Sequence, residues 1–318
     1  MNISDYLLER NIPFEENVLL SKKTWIKTGG LCTYWITPES RDQLVEICRF
    51  LYRENIVFDV VGQTSNMFFH STYNPQVVVS TLKMKNFSIE DDIIICECGV
   101  SVVKLAKACL AKGYAGFYGL VGLPGTVASA IVNNSGCFNC SVSSMLVSAD
   151  VLLPDGRIQI IKKEDFNYSK RSSSFKRREK NGVILCVRLK TEKVDSIEEE
   201  NQKAEDTKVY RKKKQEGPNR NLGSVYGRRI YKHSPINLMI SAIIKVVKGL
   251  GLSDNCSKIQ KNLLLLSYGY LDLNNYISDK NINTFIWNDD KAEWKFKRYK
   301  AFMRKVYKNL ELEIEEIV

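Results

Sequence analysis

Residues 119–137 read GLVGLPGTVASAIVNNSGC and combine glycines, a proline and small side chains in one short stretch. Glycines cluster where a backbone turns sharply or comes close to a ligand. Here Gly122 and Gly125 flank Pro124, and successive N–H groups of such a turn can bind a pyrophosphate without a cationic side chain. Taken alone, the stretch fits a phosphate-binding loop and a tight turn beside a strand equally well.

A second turn of the same kind occurs at residues 60–66, VVGQTSN, where a predicted buried strand ends. The chain turns at Gly62, and Thr64, Ser65 and Asn66 offer hydroxyl, amide and backbone donors to an anion. Neither turn has the G-x-G-x-x-G pattern of dinucleotide-binding folds or the Lys-Ser/Thr of a P-loop. Each turn is therefore weak evidence by itself.

The composition is that of a globular protein with more than one domain. The chain has 318 residues, 44% hydrophobic and 26% charged, and this length favours two or three domains. The most apolar stretch, residues 236–252, is short and contains Lys245 and Lys248, so we expect no membrane span and no membrane partner. The acidic N-terminus lacks an export signal, and the nine cysteines mostly lie in apolar strings, which favours a reducing cytoplasm.

Basic residues give a formal net charge of +11 and concentrate in residues 170–180, in residues 208–214 and around residues 228–229. Such runs bind nucleic acid, attract a small polyanion or form a solvated surface. No RNA-binding motif or recognition helix accompanies them, so we expect no nucleic-acid partner. Cys137 and Cys140 form a C-x-x-C, but because the chain has two histidines we favour buried thiols over a metal site.

The order of several motifs is more specific than any one of them. From the N-terminus they are KTGG (27–30), VVGQTSNMFF (60–69), GLPGTVASAIVNNSG (122–136), YSKRSSSFK (168–176), YRKKKQ (210–215) and LGSVY (222–226). This series resembles the UDP-N-acetylenolpyruvoylglucosamine reductases, flavoenzymes that make UDP-N-acetylmuramate for peptidoglycan. The resemblance covers most of the first 230 residues and is weaker at the C-terminus.

The resemblance implies an α+β fold. It predicts an FAD-binding domain of the two-subdomain type shared with vanillyl-alcohol-oxidase-type (PCMH) flavoenzymes, followed by a C-terminal α/β substrate domain. We expect the FAD-binding subdomains at residues 1–82 and 83–195 and the substrate domain at residues 196–318. Residues 196–215, within a charged stretch that has few large aliphatic side chains, are expected to form a linker, a solvated helix or both.

The resemblance also assigns residues to the cofactor, the substrate and the reaction. The residues expected to contact FAD are Gly62, Gln63, Thr64, Ser65, Asn66, Met67, Gly122, Leu123, Pro124, Gly125, Thr126, Ala130 and Asn134. Arg211 and Gln215 would bind the nucleotide-sugar substrate, and NADPH would be the co-substrate. The expected catalytic residues are Arg171, Ser224 and Glu315, with Glu313 as the alternative carboxylate.

The chemistry of the reaction explains these residue types. A hydride from the flavin adds to the β-carbon of an enolpyruvyl ether, and negative charge then develops at the α-carbon and its carboxylate. A guanidinium keeps its charge in a dry site and stabilises this enolate, whereas a hydroxyl can protonate the carbanion. We expect Arg171 in the first role and Ser224 in the second. Read as one strand, the C-terminus places Glu311, Glu313 and Glu315 on a common face.

Several positions depart from the family pattern. Thr64 stands at the second glycine of G-x-G-S-N, where a β-branched side chain disfavours positive φ, and Ala128-Ser129 replace a glycine pair. The substrate-domain motif S-x-x-H-x-x-F-x-x-N has no counterpart in residues 257–285. Three functions stay open: the peptidoglycan reductase, a paralogue that reduces another sugar nucleotide for a surface polysaccharide, and an FAD-binding protein without turnover. We expect the first, as a monomeric enzyme.

Overall fold

The structure is a computed structural model that describes residues 2–217, 220–251 and 255–318. The helices are α1 (Ile3–Glu9), α2 (Arg41–Arg53), α3 (Val102–Ala111), α4 (Val127–Val132), α5 (Ile197–Lys214), α6 (Pro235–Gly249), α7 (Cys256–Tyr268) and α8 (Ala292–Val306). The strands are β1 (Phe14–Leu19), β2 (Leu31–Ile36), β3 (Phe58–Val61), β4 (Met67–Phe69), β5 (Val77–Ser80), β6 (Phe87–Glu90), β7 (Ile93–Glu97), β8 (Gly136–Cys137), β9 (Cys140–Ser141), β10 (Leu146–Leu152), β11 (Ile158–Lys162), β12 (Val183–Lys190), β13 (Tyr226–Tyr231), β14 (Tyr307–Leu312) and β15 (Glu315–Ile317).

These elements form two compact units. Unit 1 lies within residues 1–23, 30–64 and 73–209, and unit 2 lies within residues 24–29, 65–72 and 210–318. The charged stretch predicted as a linker or solvated helix is helical as α5. The division into three domains stays a prediction. No helix in the described part of the chain is long and apolar enough to cross a membrane.

Unit 1 contains two sheets and has the α+β character expected from the sequence. The first has the order β1-β2-β5-β3, in which β5 runs parallel to both β2 and β3. The second is antiparallel throughout and has the order β11-β10-β12-β7-β6. The central strand β5 reads VVVS and is buried along its whole length, as a parallel strand covered on both faces should be. The edge strand β11 instead exposes Ile158 and Ile160.

The helices of unit 1 bury one side each against these sheets. In α2, Leu44, Ile47 and Leu51 recur at helical spacing and pack in a core with residues of β2 and β5. Ser40 begins this helix, because its hydroxyl accepts a hydrogen bond from the Gln43 N–H at 3.2 Å. In α3, an equivalent apolar side packs in a second core with residues of β10 and β12.

Unit 2 is built around an aromatic core from three separate segments of the chain. Phe285, Trp287, Phe296 and Tyr299 form its centre, with ring centroids about 5 Å to 6 Å apart. The short segment 24–29 joins it through Trp25, whose indole N–H donates to the Asn221 carbonyl at 3.0 Å. Strands β13 and β14 pair antiparallel, whereas β4 and β15 pair parallel.

A buried carboxylate connects α2 to the antiparallel sheet of unit 1. The Asp150 side chain on β10 is 6% exposed and accepts hydrogen bonds from Arg188 at 2.6 Å and Arg41 at 2.8 Å. Burial alone would raise the pKa of Asp150, but the bonds from Arg188 and Arg41 lower it below its usual value. The carboxylate is therefore ionised and paired at neutral pH.

We expect Asp150→Asn to lower the free energy of unfolding by roughly 2–3 kcal/mol at pH 7, because both arginines lose their charged acceptor. The lowered pKa places this stabilisation above the pKa of an unfolded aspartate, and it is lost as the pH falls through the folded-state pKa. Urea denaturation at pH 7 and pH 3 measures both effects. Asp155→Asn, which breaks the exposed pair with Arg157, is the control and should lower the stability much less, because solvent screens an exposed pair.

Candidate active site

The two glycine turns predicted to bind FAD lie against each other in unit 1. A Cβ built on Gly62 would be 2.6 Å from the Thr126 hydroxyl oxygen and 2.9 Å from its methyl carbon, so only glycine allows this approach. Beside it, the Gln63 side-chain oxygen accepts a hydrogen bond from the Gly125 N–H at 2.7 Å. The structure thus brings together residues that the sequence placed in two separate motifs.

The second turn uses most of its donors within the chain. Thr126 and Ser129 form a capping box at the start of α4, in which each side chain accepts from the other residue's N–H. The Val127 N–H donates to the Val100 carbonyl at 2.8 Å. A phosphate that uses the Gly125 N–H must therefore displace the Gln63 side chain. Most of these N–H groups therefore stabilise the loop itself, and only part of its backbone is available to bind an anion.

Thr64 adopts a left-handed conformation although it is β-branched. Its φ is +53° and its side chain is buried, a combination that is a genuine outlier for this residue type. Threonine disfavours positive φ, but the surrounding loop imposes here the conformation that the glycine of the family pattern would adopt freely. The backbone shape is kept at this position while the residue has changed.

Arg171 lies half-buried at the tip of a tight turn. Ser169 and Ser172 exchange two backbone hydrogen bonds across it, and Arg171 has a φ of +56°. Ser173 fixes the turn, because its buried hydroxyl donates to the Val132 carbonyl at the end of α4 at 2.6 Å. The position of Arg171 therefore depends on α4 and on the capped turn that precedes it.

Asn134 connects this turn to the neighbouring loop. Its side-chain nitrogen donates to the Ser169 carbonyl at 2.7 Å, its side-chain oxygen accepts from Ser143, and its own carbonyl lies 3.5 Å from Arg171 Nη1. The structure therefore places the predicted cofactor residue Asn134 next to the predicted catalytic residue Arg171.

Tyr168 is a candidate that the sequence did not single out. Its hydroxyl is buried and has no hydrogen-bond partner among the described residues, while its ring stacks on Phe166 at 5.5 Å. Burial raises the pKa of Tyr168, so the phenol stays protonated. An unsatisfied buried hydroxyl in the turn that carries Arg171 is suited to a ligand atom. The signal in the sequence that could have identified Tyr168 was its position, three residues before Arg171.

In unit 2 the C-terminus forms two strands with different partners, so the prediction of a single strand is wrong. β14 ends at Leu312 and pairs with β13, whereas β15 begins at Glu315 and pairs with β4. Ile314, which is buried in the unit 2 core, lies between them. The common face predicted for Glu311, Glu313 and Glu315 is therefore interrupted.

The same tail brings the predicted residues of unit 2 together. The Glu313 N–H donates to the Val225 carbonyl at 2.9 Å, directly after Ser224. The Glu315 N–H donates to the Asn66 carbonyl at 2.8 Å, and Glu315 is opposite Met67 in the strand register. Ser224, Asn66, Met67 and Glu315 thus lie on adjoining segments, although they come from three distant parts of the chain.

Two buried or half-buried groups hold these segments in place. Asn283, which is fully buried, anchors the residues after Ser224: its side chain accepts from the Tyr226 N–H at 3.1 Å and donates to the Tyr226 carbonyl at 2.9 Å. His70 lies between the carboxylates of Glu293 at 3.0 Å and Glu316 at 2.8 Å. Through these two contacts, His70 connects Glu316 on β15 to Glu293 on α8.

Lys300 completes the cluster around Glu316. Its ammonium group contacts both Glu316 oxygens, at 2.7 Å and 2.9 Å. Burial would raise the pKa of Glu316, but the bonds from Lys300 and His70 lower it. The residue next to Glu315 is therefore a fixed structural anion.

The predicted substrate residues Arg211 and Gln215 are both in unit 2, at the end of α5 and directly after it. Arg211 Nη1 donates to the Gln215 side-chain oxygen at 3.1 Å. Lys280 contacts the same region, because its ammonium group donates to the Gln215 carbonyl at 3.1 Å.

Among the described residues, no group of three or more histidine, cysteine, aspartate or glutamate side chains is arranged to hold a metal ion.

The residues of unit 1 fit an anionic cofactor in their chemistry. Residues 98–149, which include the second glycine turn and Asn134, contain no aspartate or glutamate, and neither do residues 60–64 and 166–178. The side chains available there include amides, hydroxyls and cations. Among them is the buried Tyr168 hydroxyl, which has no hydrogen-bond partner among the described residues. Such a donor set suits the pyrophosphate of FAD.

Parts of the chain are similar in sequence to known proteins. Residues 33–162 match the family model of the FAD binding domain. The UDP-N-acetylenolpyruvoylglucosamine reductase of Caldicellulosiruptor saccharolyticus is 29% identical over 221 residues, 69% of this chain and 70% of that protein. The enzyme of the same name from Prochlorococcus marinus subsp. pastoris is 30% identical over 193 residues, 60% of this chain and 64% of that protein.

A solved structure shows the same fold. The crystal structure of UDP-N-acetylenolpyruvylglucosamine reductase from Thermus caldophilus aligns with 96% of this chain and 100% of that chain, at a TM-score of 0.67 and 18% identity. The sequence matches and the fold therefore agree, and the chain is similar in both to the UDP-N-acetylenolpyruvoylglucosamine reductases.

Proposed function

We propose that the chain is a flavin-dependent oxidoreductase that reduces the enolpyruvyl group of UDP-N-acetylglucosamine enolpyruvate to give UDP-N-acetylmuramate, a peptidoglycan precursor. FAD would be its cofactor and NADPH its reductant. The observation that carries this proposal is the meeting, in unit 2, of the segment that bears Ser224 with the tail that bears Glu315. A hydroxyl and a carboxylate on adjoining segments suit the delivery of a proton to a carbanion. The names of the matched relatives support the substrate.

The cofactor chemistry needed at this site is the addition of a hydride to the β-carbon of the enolpyruvyl group, which FAD reduced by NADPH would supply when bound. The guanidinium of Arg171 stabilises the negative charge that develops on the substrate carboxylate and α-carbon. The Ser224 hydroxyl donates the proton to the α-carbon, and Glu315 is the carboxylate that the family pattern places at this site. We assign FAD binding to the two glycine turns and Asn134, and substrate binding to Arg211 and Gln215. We also infer a monomeric enzyme of the cytoplasm.

We expect Gly62→Ala to weaken FAD binding by at least about tenfold, because the new methyl group would push the two turns apart. Thr126 cannot move away cheaply, since it is buried and caps α4. Absorbance of the bound flavin after dialysis measures the occupancy, and circular dichroism checks the fold. Gly249→Ala, where a Cβ meets nothing within 4 Å, should keep FAD as the wild type does. Equal FAD retention by both variants would contradict the assignment.

We expect Arg171→Ala and Ser224→Ala to slow the oxidative half-reaction, in which the substrate reoxidises the flavin, by on the order of 10²–10³-fold. Reduction of the flavin by NADPH should stay within a factor of about two, because neither side chain acts in that step. Stopped-flow absorbance separates the two half-reactions.

Arg157→Ala is the matched control for these variants, because this arginine is exposed and pairs only with a surface aspartate in the described contacts. Normal reoxidation by Arg171→Ala would overturn its assigned role. A wild-type protein that NADPH reduces but the enolpyruvyl substrate does not reoxidise would overturn the proposed substrate.

We expect Tyr168→Phe to leave the free energy of unfolding of the FAD-free protein unchanged or slightly higher, since the hydroxyl has no partner to lose among the described residues. If that hydroxyl binds a ligand, the variant will bind FAD or the nucleotide sugar several-fold more weakly. Urea denaturation and titration calorimetry measure the two quantities. A stability loss with unchanged binding would instead assign Tyr168 a structural role.

A further inference from the structure

The solvent-exposed side of α6 is apolar. Leu238, Met239, Ile243 and Val246 are 53%, 54%, 37% and 63% exposed, and Leu250, directly after the helix, is 70% exposed. Positions 239, 243, 246 and 250 follow a 4-3-4 spacing and form one line along the helix. With position 238 they cover about 140° of its circumference at 100° per residue. We call these five residues the α6 face.

The opposite side of α6 is already fixed to unit 2. Ile240 and Ile244 are buried in the unit 2 core. Asn237, which is fully buried, donates to the carbonyls of Lys232 at 2.8 Å and Val306 at 3.0 Å. The helix therefore has a complete inner contact, and the α6 face is a second apolar side. A helix with two apolar sides normally has partners on both of them.

The charged residues in the chain segment that contains the α6 face have one sign. No aspartate or glutamate occurs between Glu216 and Asp254, a segment that includes Arg228, Arg229, Lys232, Lys245 and Lys248. Lys245 and Lys248 are on α6 itself and are exposed. The surface of α6 therefore combines a line of apolar side chains with cations, and the helix carries no acidic residue. Such a surface is complementary to an anionic layer that covers an apolar interior.

We propose that the α6 face docks on the surface of an anionic lipid bilayer. The five apolar side chains enter the boundary between headgroups and acyl chains, while Lys245 and Lys248 reach the lipid phosphates. A second copy of the chain is a poorer occupant, because it would bring two cationic segments together. The docking is peripheral, since no described helix spans a membrane. It departs from the expectation of a chain without a membrane partner and does not depend on the proposed reaction.

Cosedimentation of the FAD-loaded full chain with extruded vesicles tests this proposal. We expect binding to vesicles of equal parts phosphatidylcholine and phosphatidylglycerol, weak binding to phosphatidylcholine alone, and release as NaCl screens the lysines. Ile243→Ser/Val246→Ser should lower the partition coefficient at least about tenfold. Lys245→Gln/Lys248→Gln should lower it on the order of thirtyfold. Turnover of the soluble substrate should be unchanged in both variants.

The matched control is Ile158→Ser/Ile160→Ser, which removes two exposed isoleucines from the edge strand β11 in unit 1 and should bind vesicles as the wild type does. Circular dichroism and flavin content verify the fold of every variant. The proposal is overturned if the wild type does not bind anionic vesicles, or if the α6 variants bind as well as the control. It is also overturned if light scattering finds a lipid-free dimer that Ile243→Ser/Val246→Ser separates, because the face would then belong to a second copy.

Discussion

The positions of the predicted cofactor residues of unit 1 depend on Gly62, because glycine has no side chain. It lets the first glycine turn lie against Thr126, and Thr126 in turn caps α4. The end of α4 accepts the hydroxyl of Ser173, which fixes the turn that carries Arg171. A single close approach of a backbone to a side chain is thus propagated, through a capped helix, to a cation more than a hundred residues away in the sequence.

In unit 2, hydrogen bonds rather than a close approach hold the predicted site residues in position. Its tail is held at Val225 by the Glu313 N–H and at Asn66 by the Glu315 N–H. The ion pair of Lys300 with Glu316, and the contact of His70 with the same carboxylate, then fix β15. Backbone bonds set the position of Glu315 along the tail, and the neighbouring ion cluster keeps the strand from sliding. A candidate catalytic carboxylate is therefore placed by groups that take no part in the reaction.

The sequence predicted what local pattern and motif order determine, and it missed what distant segments impose. The buried strands, the two glycine turns and the family resemblance all depend on residues close together in the chain. The positive φ of Thr64 and the division of the tail into two strands depend on partners far away. His70 and Glu316 are 246 positions apart, and no periodicity relates them. Tyr168 could have been noticed, but only the structure shows that its hydroxyl is buried without a partner among the described residues.

The contrast between α5 and α6 shows that the apolar surface of α6 is not a general property of the chain. α5 is 18 residues long, with three glutamates in its first turn and four cations in its last, a charge order that complements the helix dipole and suits a solvated helix. Most of the exposed side chains of α5 are charged. In α6, Asn237 and two isoleucines already complete the inner contact, so folding of unit 2 does not require the five side chains of the α6 face. Their exposure costs solubility without stabilising the unit, and this cost is offset only where a second apolar surface covers them.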